Sequence, residues 1–378
     1  MRKLIVAMTG SAILLGTAIV LWGWWLWTGP GPLPVADEEA AAASTTVMVR
    51  IPAGMTLTTA VDTLTTRGLL SRPRVLLAGA KLTGKTHALR AGLYELPFGA
   101  SPRDLLQALT SGAVVMVKVT IPEGLTSDQI AELVSRQLGF SGDDFLAVAD
   151  SLVMAAAREG PLLRGGAPAV AVHDSLLAVE SARHPRHFRW CEGHLAPDTF
   201  FFAEGTGAAQ AAHFLVTTQR DRLDSVMSAP GFLTDPVLAP QELLTLASIV
   251  EAEARLDDER PVIAAVYVNR LRQGWRLEAD PTVAFILNKK GKRLFYRDLE
   301  VSSPYNTYRN KGLPPGPIGS PGRAALEAAS RPDSTSQAMY FVSDGQGGHV
   351  FSRTAQEHEA AVQEFRRTRA ADHGHRNN

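Results

Sequence analysis

Cysteine is almost absent from this sequence of 378 residues, and neither sign of charge is in excess. The single cysteine, Cys191, excludes an internal disulfide and a thiolate metal cluster, and we predict a small buried side chain there. Basic and acidic residues balance at 38 each, so no electrostatic signal indicates a nucleic-acid-binding protein. The histidines His184, His187 and His194 match no metal-binding spacing of the HExxH type. We therefore predict neither a metal site nor nucleic acid as a partner.

Charge is also missing locally, from Leu4 to Trp27. A helix of that length spans about 36 Å, enough to cross the ~30 Å hydrocarbon core of a bilayer. Arg2 and Lys3 precede this segment, and the next basic residue is Arg50, so the positive-inside rule places the N-terminus in the cytoplasm. We predict a single-pass anchor in the plasma (inner) membrane, residues 1–28, with the remainder periplasmic or extracytoplasmic. Four tryptophans are typical of an aromatic belt at its outer end: Trp22, Trp24, Trp25 and Trp27.

A repeated pattern follows a Pro-, Gly- and Ala-rich linker at 29–46. Ile51–Thr56 and Ile121–Thr126 share I-P-x-G-x-T, and Leu96–Ser101 is a looser copy between them. Each copy follows a β-like run and precedes an amphipathic helix; the proline ends the strand, the glycine turns the chain and the Thr or Ser caps the helix. This pattern predicts a small α+β module at 47–139. It resembles LysM-type glycan-binding modules, with a purely structural spacer as the alternative.

Residues 140–227 carry weaker signals. Helical pieces are predicted at 144–157 and 174–182, with a Gly- and Pro-rich loop at 160–168 between them. An aromatic strand then ends at Phe202 and is followed by a helix over roughly 206–227. The aromatic run fits either a hydrophobic core or the wall of a sugar-binding cleft.

The stretch from Leu243 to Thr282 carries the strongest candidate for chemistry. An apolar helix delivers Glu251 and Glu253 at its end, and a second helix follows. Burial at such a position raises the pKa of a carboxyl group, and a carboxylic acid that stays protonated near neutral pH can cleave a glycosidic bond by general-acid catalysis. The two glutamates lie about 200° apart around the helix, so one of them faces a given cleft. The residues alone leave open which one.

Polar and rigid segments follow this stretch. Residues 302–308 read SSPYNTY, and 312–322 read GLPPGPIGSPG, which is too rich in proline for a helix or a central strand. A stiff loop there could hold amide and hydroxyl groups against a polar ligand. A β-hairpin is predicted from 339–343 and 349–351, then a closing helix at 354–367 and a frayed tail at 368–378.

Together these motifs resemble the MltG (YceG-like) family of membrane-anchored endolytic murein transglycosylases over roughly residues 45–366. The resemblance rests on ASIVEAEA, YVNRLRQGWRLEADPTV, YNTY, GLPPGPIGSPG, MYFVSDGQGGHVFS and EGHLAPDTFFF. It implies an α+β fold with an N-terminal transmembrane helix, a LysM-like module and a larger α+β catalytic domain at 140–367. It also implies that Glu253 is the catalytic acid.

The implied reaction is cleavage of MurNAc–GlcNAc bonds within peptidoglycan strands, which leaves 1,6-anhydroMurNAc ends and terminates nascent strands. Glu253 would protonate the glycosidic oxygen and then act as the base for the MurNAc C6 hydroxyl. No cofactor is implied, and cell-wall synthases or proteins of the division and elongation machinery are expected partners. We predict that further residues bind substrate or orient Glu253: Glu251, Asn269, Asp280, Thr282, Tyr305, Asn306 and Tyr308.

Two alternatives belong to other functional classes. A cell-wall hydrolase would use water and release reducing ends, whereas a non-enzymatic scaffold would bind glycan without releasing product. A pyridoxal-phosphate lyase is disfavoured, because the stretch 243–282 contains no lysine to form a Schiff base.

Overall fold

The structure is a computed structural model in which the chain forms two compact units. It describes residues 16–31, 46–52, 54–111, 115–160, 162, 167–184, 188–233 and 237–375. The first unit runs to Lys118 and includes Phe201–Thr206; the second comprises Val119–Phe200 and the chain from Gly207 onward. This division falls earlier than the predicted boundary at 139, because the helix Ser127–Leu138 packs against the helix that follows it.

From Thr46 onward, the first unit combines a two-stranded antiparallel sheet with three helices among the described residues. Its elements are β1 (Thr46–Ile51), α1 (Leu57–Thr66), α2 (Pro73–Leu82), β2 (Gly92–Pro97) and α3 (Pro102–Ser111). In the sheet Val49 lies opposite Tyr94, and both side chains are fully buried. Residues alternate along β1, with Val49 and Ile51 buried and Arg50 exposed, so one face of the sheet packs on the helices. The core is built from those buried strand residues and from Leu64, Leu76 and their neighbours.

The turn chemistry predicted for the I-P-x-G-x-T copies is confirmed. Gly54, Gly99 and Gly124 all have positive φ, at 82°, 80° and 69°, a region that glycine adopts without steric cost. The oxygen of Thr56 accepts a hydrogen bond from the Thr59 amide at 3.2 Å and caps α1. Thr126 caps the helix after the last copy in the same way, within a capping box.

The described part of the N-terminal segment is helical at 16–28. Residues 4–15 of the predicted anchor and 32–45 of the predicted linker lie outside the described residues. Among the helices that the structure describes, none has both the length and the apolar character needed to cross a membrane. Trp27 departs from the predicted aromatic belt: its ring packs against Gly79 and the core of the first unit, because glycine has no side chain to keep it away.

The second unit is mostly helical, with short strands. Its helices are α4 (Ser127–Leu138), α5 (Gly142–Glu159), α6 (Ala167–Arg183), α7 (Ala208–Met227), α8 (Pro240–Glu253), α9 (Arg260–Arg272), α10 (Asp280–Ile286), α11 (Arg323–Ser330) and α12 (Ala355–His375). The strands are β3 (Met116–Ile121), β4 (Asp198–Ala203), β5 (Tyr340–Ser343) and β6 (His349–Ser352), of which the first two cross the boundary between units. Single 3₁₀ turns occur at Asp257–Glu259 and Tyr296–Glu300. The mixture of helices and small sheets confirms the α+β class.

Helix α8 lies at the centre of this unit. Every residue from Leu243 to Val250 is buried, and the helix packs against α7, α9, α10 and α11. Such burial on all sides holds the end of the helix, and with it Glu253, in a fixed position.

Several sequence-based boundaries are confirmed and two need correction. The hairpin forms as predicted, with Phe341 opposite Phe351. Helix α6 begins at Ala167 rather than at the predicted residue 174. It therefore includes the last two residues of the loop predicted at 160–168. The closing helix continues to His375, beyond its predicted end at 367. Cys191 is buried and unpaired, as predicted.

Candidate active site

Glu253 is the last residue of α8. The helix starts with Pro240 in its first turn, where the Glu242 carboxylate accepts a hydrogen bond from the Ala239 amide at 2.8 Å. It ends where Ala254 turns into an extended conformation. The acid therefore projects from the end of a buried helix, as the sequence predicted.

The two glutamates of the E-x-E pair have separate surroundings. Glu251 accepts hydrogen bonds from Nη2 of Arg260 at 3.4 Å and from the Gly322 amide at 3.1 Å. It thus neutralises a buried arginine and lies at the positive end of α11, which Gly322 precedes. Glu253 instead lines a cavity of about 590 Å³. These positions agree with the prediction that one of the two faces the cleft, although the roles of both remain predictions.

The environment of Glu253 favours its protonated form. Its pKa is raised from 4.5 to about 7, mainly because burial disfavours the charged carboxylate. The hydroxyl of Tyr267 donates a hydrogen bond to Oε1 at 2.9 Å and opposes that rise, whereas the negative charge of Asp280 adds to it. A carboxyl group with a pKa near 7 can give up and recover a proton at neutral pH.

Asp280 lines the same cavity from the start of α10. The hydroxyl of Tyr308 donates a hydrogen bond to Oδ1 of Asp280 at 2.7 Å. Burial, and after it this hydrogen bond, raises the pKa of the Tyr308 phenol. Asp280 and Tyr308 thus lie close to Glu253, and their predicted roles in orienting it or in binding substrate stay predictions.

Thr282 supports the turn that presents Asp280. It is fully buried, and its Oγ1 lies 2.7 Å from the Ala279 carbonyl oxygen and 2.9 Å from Oγ1 of Thr307. The same Thr307 hydroxyl accepts a hydrogen bond from the Ala279 amide at 3.0 Å, beside Glu278 with its positive φ of 52°. Thr282 therefore shapes the strained turn rather than lining the cavity.

The remaining predicted substrate residues lie in supporting positions. Tyr305 is buried and packs against Phe188 and Phe285, with ring centroids 4.8 and 5.5 Å away. The Asn306 amide donates to the carbonyl oxygens of Leu299 and Val301, both at 2.8 Å. These contacts hold the YNTY loop in shape.

Asn269 lies in a different cavity from Glu253. Its amide nitrogen donates to the carbonyl oxygens of Ser336 and Ala338, both at 3.1 Å, and so ties α9 to the segment before β5. The structure therefore does not bring Asn269 together with Asp280 and Glu253, and its predicted contact with substrate stays a prediction.

The last of the I-P-x-G-x-T copies, Ile121–Thr126, also forms part of the wall of the cavity that contains Glu253. The sequence did not indicate this placement. Gly124, Thr126 and Gln129 line the same cavity as Glu253. The Gly124 amide donates to the carbonyl oxygen of Ser320 at 2.7 Å, and the Ser320 amide donates to that of Leu125 at 2.8 Å. This pairing fixes the turn against the proline-rich loop, so a motif predicted for a separate module belongs to the site.

Basic side chains form part of the cavity lining and were missed as well. They are Arg255, Lys290, Lys292 and Arg293, all exposed. The run KKGKR at 289–293 was the available signal, because it concentrates cations in a chain of zero net charge.

The histidines have local partners. The His194 ring is buried and lies 2.8 Å from Oε1 of Gln241, and burial lowers its pKa to about 4. His184 lies 3.3 Å from the Glu180 carboxylate, and His187 is outside the described residues. No group of three or more potential metal ligands occurs in the part of the chain that the structure describes.

Comparison with known proteins places this architecture in a family. The model of the YceG-like family matches residues 49–364. The chain belongs to the YceG-like family. The endolytic murein transglycosylase of Bacillus subtilis (strain 168) is 30% identical to it over 323 residues, which cover 85% of each protein.

Two other YceG-like relatives agree. The endolytic murein transglycosylase of Streptococcus pneumoniae serotype 2 is 31% identical over 330 residues, or 84% of this chain and 58% of that protein. A crystal structure of a yceG-like protein from Listeria monocytogenes superposes with a TM-score of 0.51 at 29% identity. That match covers 83% of this chain and 98% of the Listeria chain.

Proposed function

We propose that this protein is an endolytic murein transglycosylase that cleaves MurNAc–GlcNAc bonds within glycan strands and leaves 1,6-anhydroMurNAc ends. Membership of the YceG-like family and the names of its relatives support this activity. The observation that carries the mechanism is the carboxyl group of Glu253, which has a pKa of about 7 and faces a cavity.

Cleavage begins with proton transfer from Glu253. The Tyr267 hydroxyl donates its hydrogen bond to Oε1, and Oε2 has no hydrogen-bond partner among the described residues. A proton carried on Oε2 is therefore available to the glycosidic oxygen. As the bond between that oxygen and C1 of MurNAc breaks, the GlcNAc hydroxyl leaves and positive charge develops on the MurNAc ring. Asp280, held by Tyr308, contributes negative charge to the same cavity and stabilises the oxocarbenium-like ring.

Ring closure returns the proton. The Glu253 carboxylate accepts the proton of the MurNAc C6 hydroxyl while O6 forms a bond to C1, which gives the 1,6-anhydro product and regenerates the acid. No water is consumed. Because the nucleophile belongs to the substrate, its effective concentration is high, and a single carboxyl group serves in turn as acid and base.

We also propose a location and binding partners. The uncharged segment 4–27, with Arg2 and Lys3 before it, supports a membrane anchor that leaves the catalytic unit extracytoplasmic. The β-α-α-β order from Thr46 to Pro97 supports a LysM-like module that binds glycan. Such an arrangement would keep the enzyme next to cell-wall synthases at the membrane. Protease accessibility of the catalytic unit in intact cells compared with spheroplasts would test the orientation.

Digestion of purified sacculi tests the activity. The transglycosylase releases anhydro-muropeptides, which are lighter by one water than the reducing-end products of a hydrolase, and mass spectrometry separates the two. A product population made of reducing ends would replace the proposal with a water-using hydrolase. Binding to sacculi without any release would indicate a scaffold.

A further inference from the structure

We propose that residues 289–299 form a second binding region, which extends the catalytic cavity and selects glycan strands that carry peptide stems with free carboxylates. This inference rests on the proposed function and deepens it. We call the region the aromatic–basic extension and define it by Arg293, Phe295, Tyr296 and Arg297.

The extension is continuous with the catalytic cavity. A hollow of about 600 Å³ is lined by Phe295, Tyr296 and Arg297 together with Asp280, Arg293 and Leu294. The last three residues also line the cavity that contains Glu253. A glycan strand that an endolytic enzyme cuts must continue on both sides of the scissile bond, so a hollow that shares a wall with the catalytic cavity lies where the strand passes.

The segment is held in a defined conformation. Lys289 donates to Oδ1 of Asp298 at 2.8 Å, and the Phe295 amide donates to Oδ2 of the same carboxylate at 2.9 Å. The Lys289 hydrogen bond is the main reason why the pKa of Asp298 is lowered. Asp298 therefore closes residues 289–298 into a loop, and the aromatic side chains point outward from an anchored backbone.

The aromatic rings are displayed to solvent instead of being packed. Tyr296 is 87% exposed and Phe295 is 50% exposed. The guanidinium groups of Arg293 and Arg297 lie 5.7 and 5.6 Å from the centroid of the Phe295 ring. The exposed ring of Tyr296 offers an apolar face to a sugar, and the two guanidinium groups beside Phe295 offer charged hydrogen-bond donors to a carboxylate.

The charge of the segment identifies the class of ligand. Residues 289–300 contain five basic and two acidic residues, whereas the whole chain has zero net charge. One of the two acids, Asp298, is already paired with Lys289. In murein the sugar rings themselves are uncharged. A strand stripped of its peptides by an amidase keeps one lactyl carboxylate on each MurNAc, whereas a peptide-bearing MurNAc carries the several free carboxylates of its stem. Positive charge beside sugar-stacking rings therefore matches a peptide-bearing strand better than a peptide-free one.

Two double variants test the extension on two substrates: peptide-bearing strands and strands from which an amidase has removed the peptides. For Arg293→Gln/Arg297→Gln, we expect the ratio of kcat/KM for peptide-bearing over peptide-free strands to fall about tenfold, or about 1.4 kcal/mol. For Phe295→Ala/Tyr296→Ala, we expect kcat/KM to fall roughly tenfold on both substrates, since stacking does not depend on the peptide. The charge-matched control is Arg136→Gln/Arg366→Gln, which removes exposed arginines elsewhere.

The outcomes separate this inference from the proposed function. Failure of the wild-type protein to release anhydro products from either substrate would overturn the proposed function. If the wild-type protein is active and the arginine variant keeps its substrate ratio, the extension does not select peptide-bearing strands. Unchanged rates on soluble strands, combined with lost binding to vesicles of anionic phospholipid, would assign the segment to a membrane surface and overturn the inference.

Discussion

The hydroxyl of Tyr267 donates a hydrogen bond to Oε1 of Glu253 at 2.9 Å, and this contact links the end of α8 to the middle of α9. Tyr267 is 2% exposed, so its ring is fixed by packing. This hydrogen bond holds Oε1 of the carboxyl group and leaves Oε2 available to the cavity. It also stabilises the charged form of the acid, whereas burial and Asp280 stabilise the neutral form. The pKa of about 7 is the balance of these opposing effects.

Replacement of Glu253 by Gln should remove the general acid without changing the shape of the side chain. We expect the rate of anhydro-muropeptide release to fall by about 10²–10⁴-fold, the usual contribution of such catalysis. Mass spectrometry of sacculus digests measures the loss, and circular dichroism checks that the fold is retained.

Glu251→Gln is the matched control, because it changes the other member of the E-x-E pair. Glu251 binds Arg260 and the start of α11, so this variant should lower stability while the folded protein still cleaves murein. Full activity in Glu253→Gln, with loss in Glu251→Gln, would reverse the two roles.

Tyr267→Phe should raise the pKa of Glu253 further. The variant loses the hydrogen bond that stabilises the carboxylate, while burial still favours the neutral acid. In the wild-type protein the cleavage rate should decline as pH rises through about 7, as the acid loses its proton. In Tyr267→Phe this decline should move to higher pH, and the maximal rate should fall because the carboxyl group is less well oriented. A decline at unchanged pH would show that another group controls the rate.

Asp280→Asn should shift the pH dependence in the opposite direction. Its negative charge raises the pKa of Glu253, so an uncharged amide should let the acid ionise at lower pH. The amide oxygen can still accept the hydrogen bond from Tyr308, which limits structural change. We expect the decline in kcat at lower pH than in the wild-type protein, with a slower maximal rate because the developing positive charge loses its partner. A shift in the same direction as in Tyr267→Phe would contradict this assignment of electrostatic roles.

Local patterns predicted much of this protein because they depend on neighbouring residues. The glycines of the I-P-x-G-x-T copies, the cap at Thr126 and the helix that ends at Glu253 follow from residues a few positions apart. The α+β class and the final hairpin were predictable for the same reason.

Long-range placement was harder to predict. The last I-P-x-G-x-T copy, Ile121–Thr126, lines the cavity that contains Glu253. It is held there by a hydrogen bond between Gly124 and Ser320, which are far apart in the sequence. Polarity alone did not distinguish Asp280 from Asn269. Asp280 lines the cavity that contains Glu253, whereas the side-chain amide of Asn269 donates hydrogen bonds to backbone carbonyl oxygens. Hydrogen-bond partners decide such cases, and they depend on the tertiary fold.

The carboxylate of Glu192 should be required for the stability of the cavity wall. It is 3% exposed and accepts hydrogen bonds from the amide and hydroxyl of Ser127, at 3.1 and 2.9 Å, at the first residue of α4. Glu192→Ala leaves these donors buried without that acceptor and removes a negative charge from the positive end of the helix, so we expect a loss of about 2–3 kcal/mol in the free energy of unfolding. Urea denaturation measures the change, and Glu132→Ala, at an exposed position of the same helix, is the control. A loss no greater than that of the control would contradict the anchoring role.

Ionisation of Glu253 should also reduce the stability of the protein at alkaline pH. The pKa of Glu253 is raised from 4.5 to about 7 by folding, so its contribution to stability is complete below pH 4.5 and is lost as pH rises through about 7. Glu253→Gln does not titrate and escapes this loss. The variant should therefore gain stability relative to the wild-type protein between pH 4 and pH 8, on the order of 1–3 kcal/mol after allowance for partial solvent screening. Urea denaturation of both proteins at the two pH values measures the gain, and an equal difference at both values would show that Glu253 ionises normally in the folded protein.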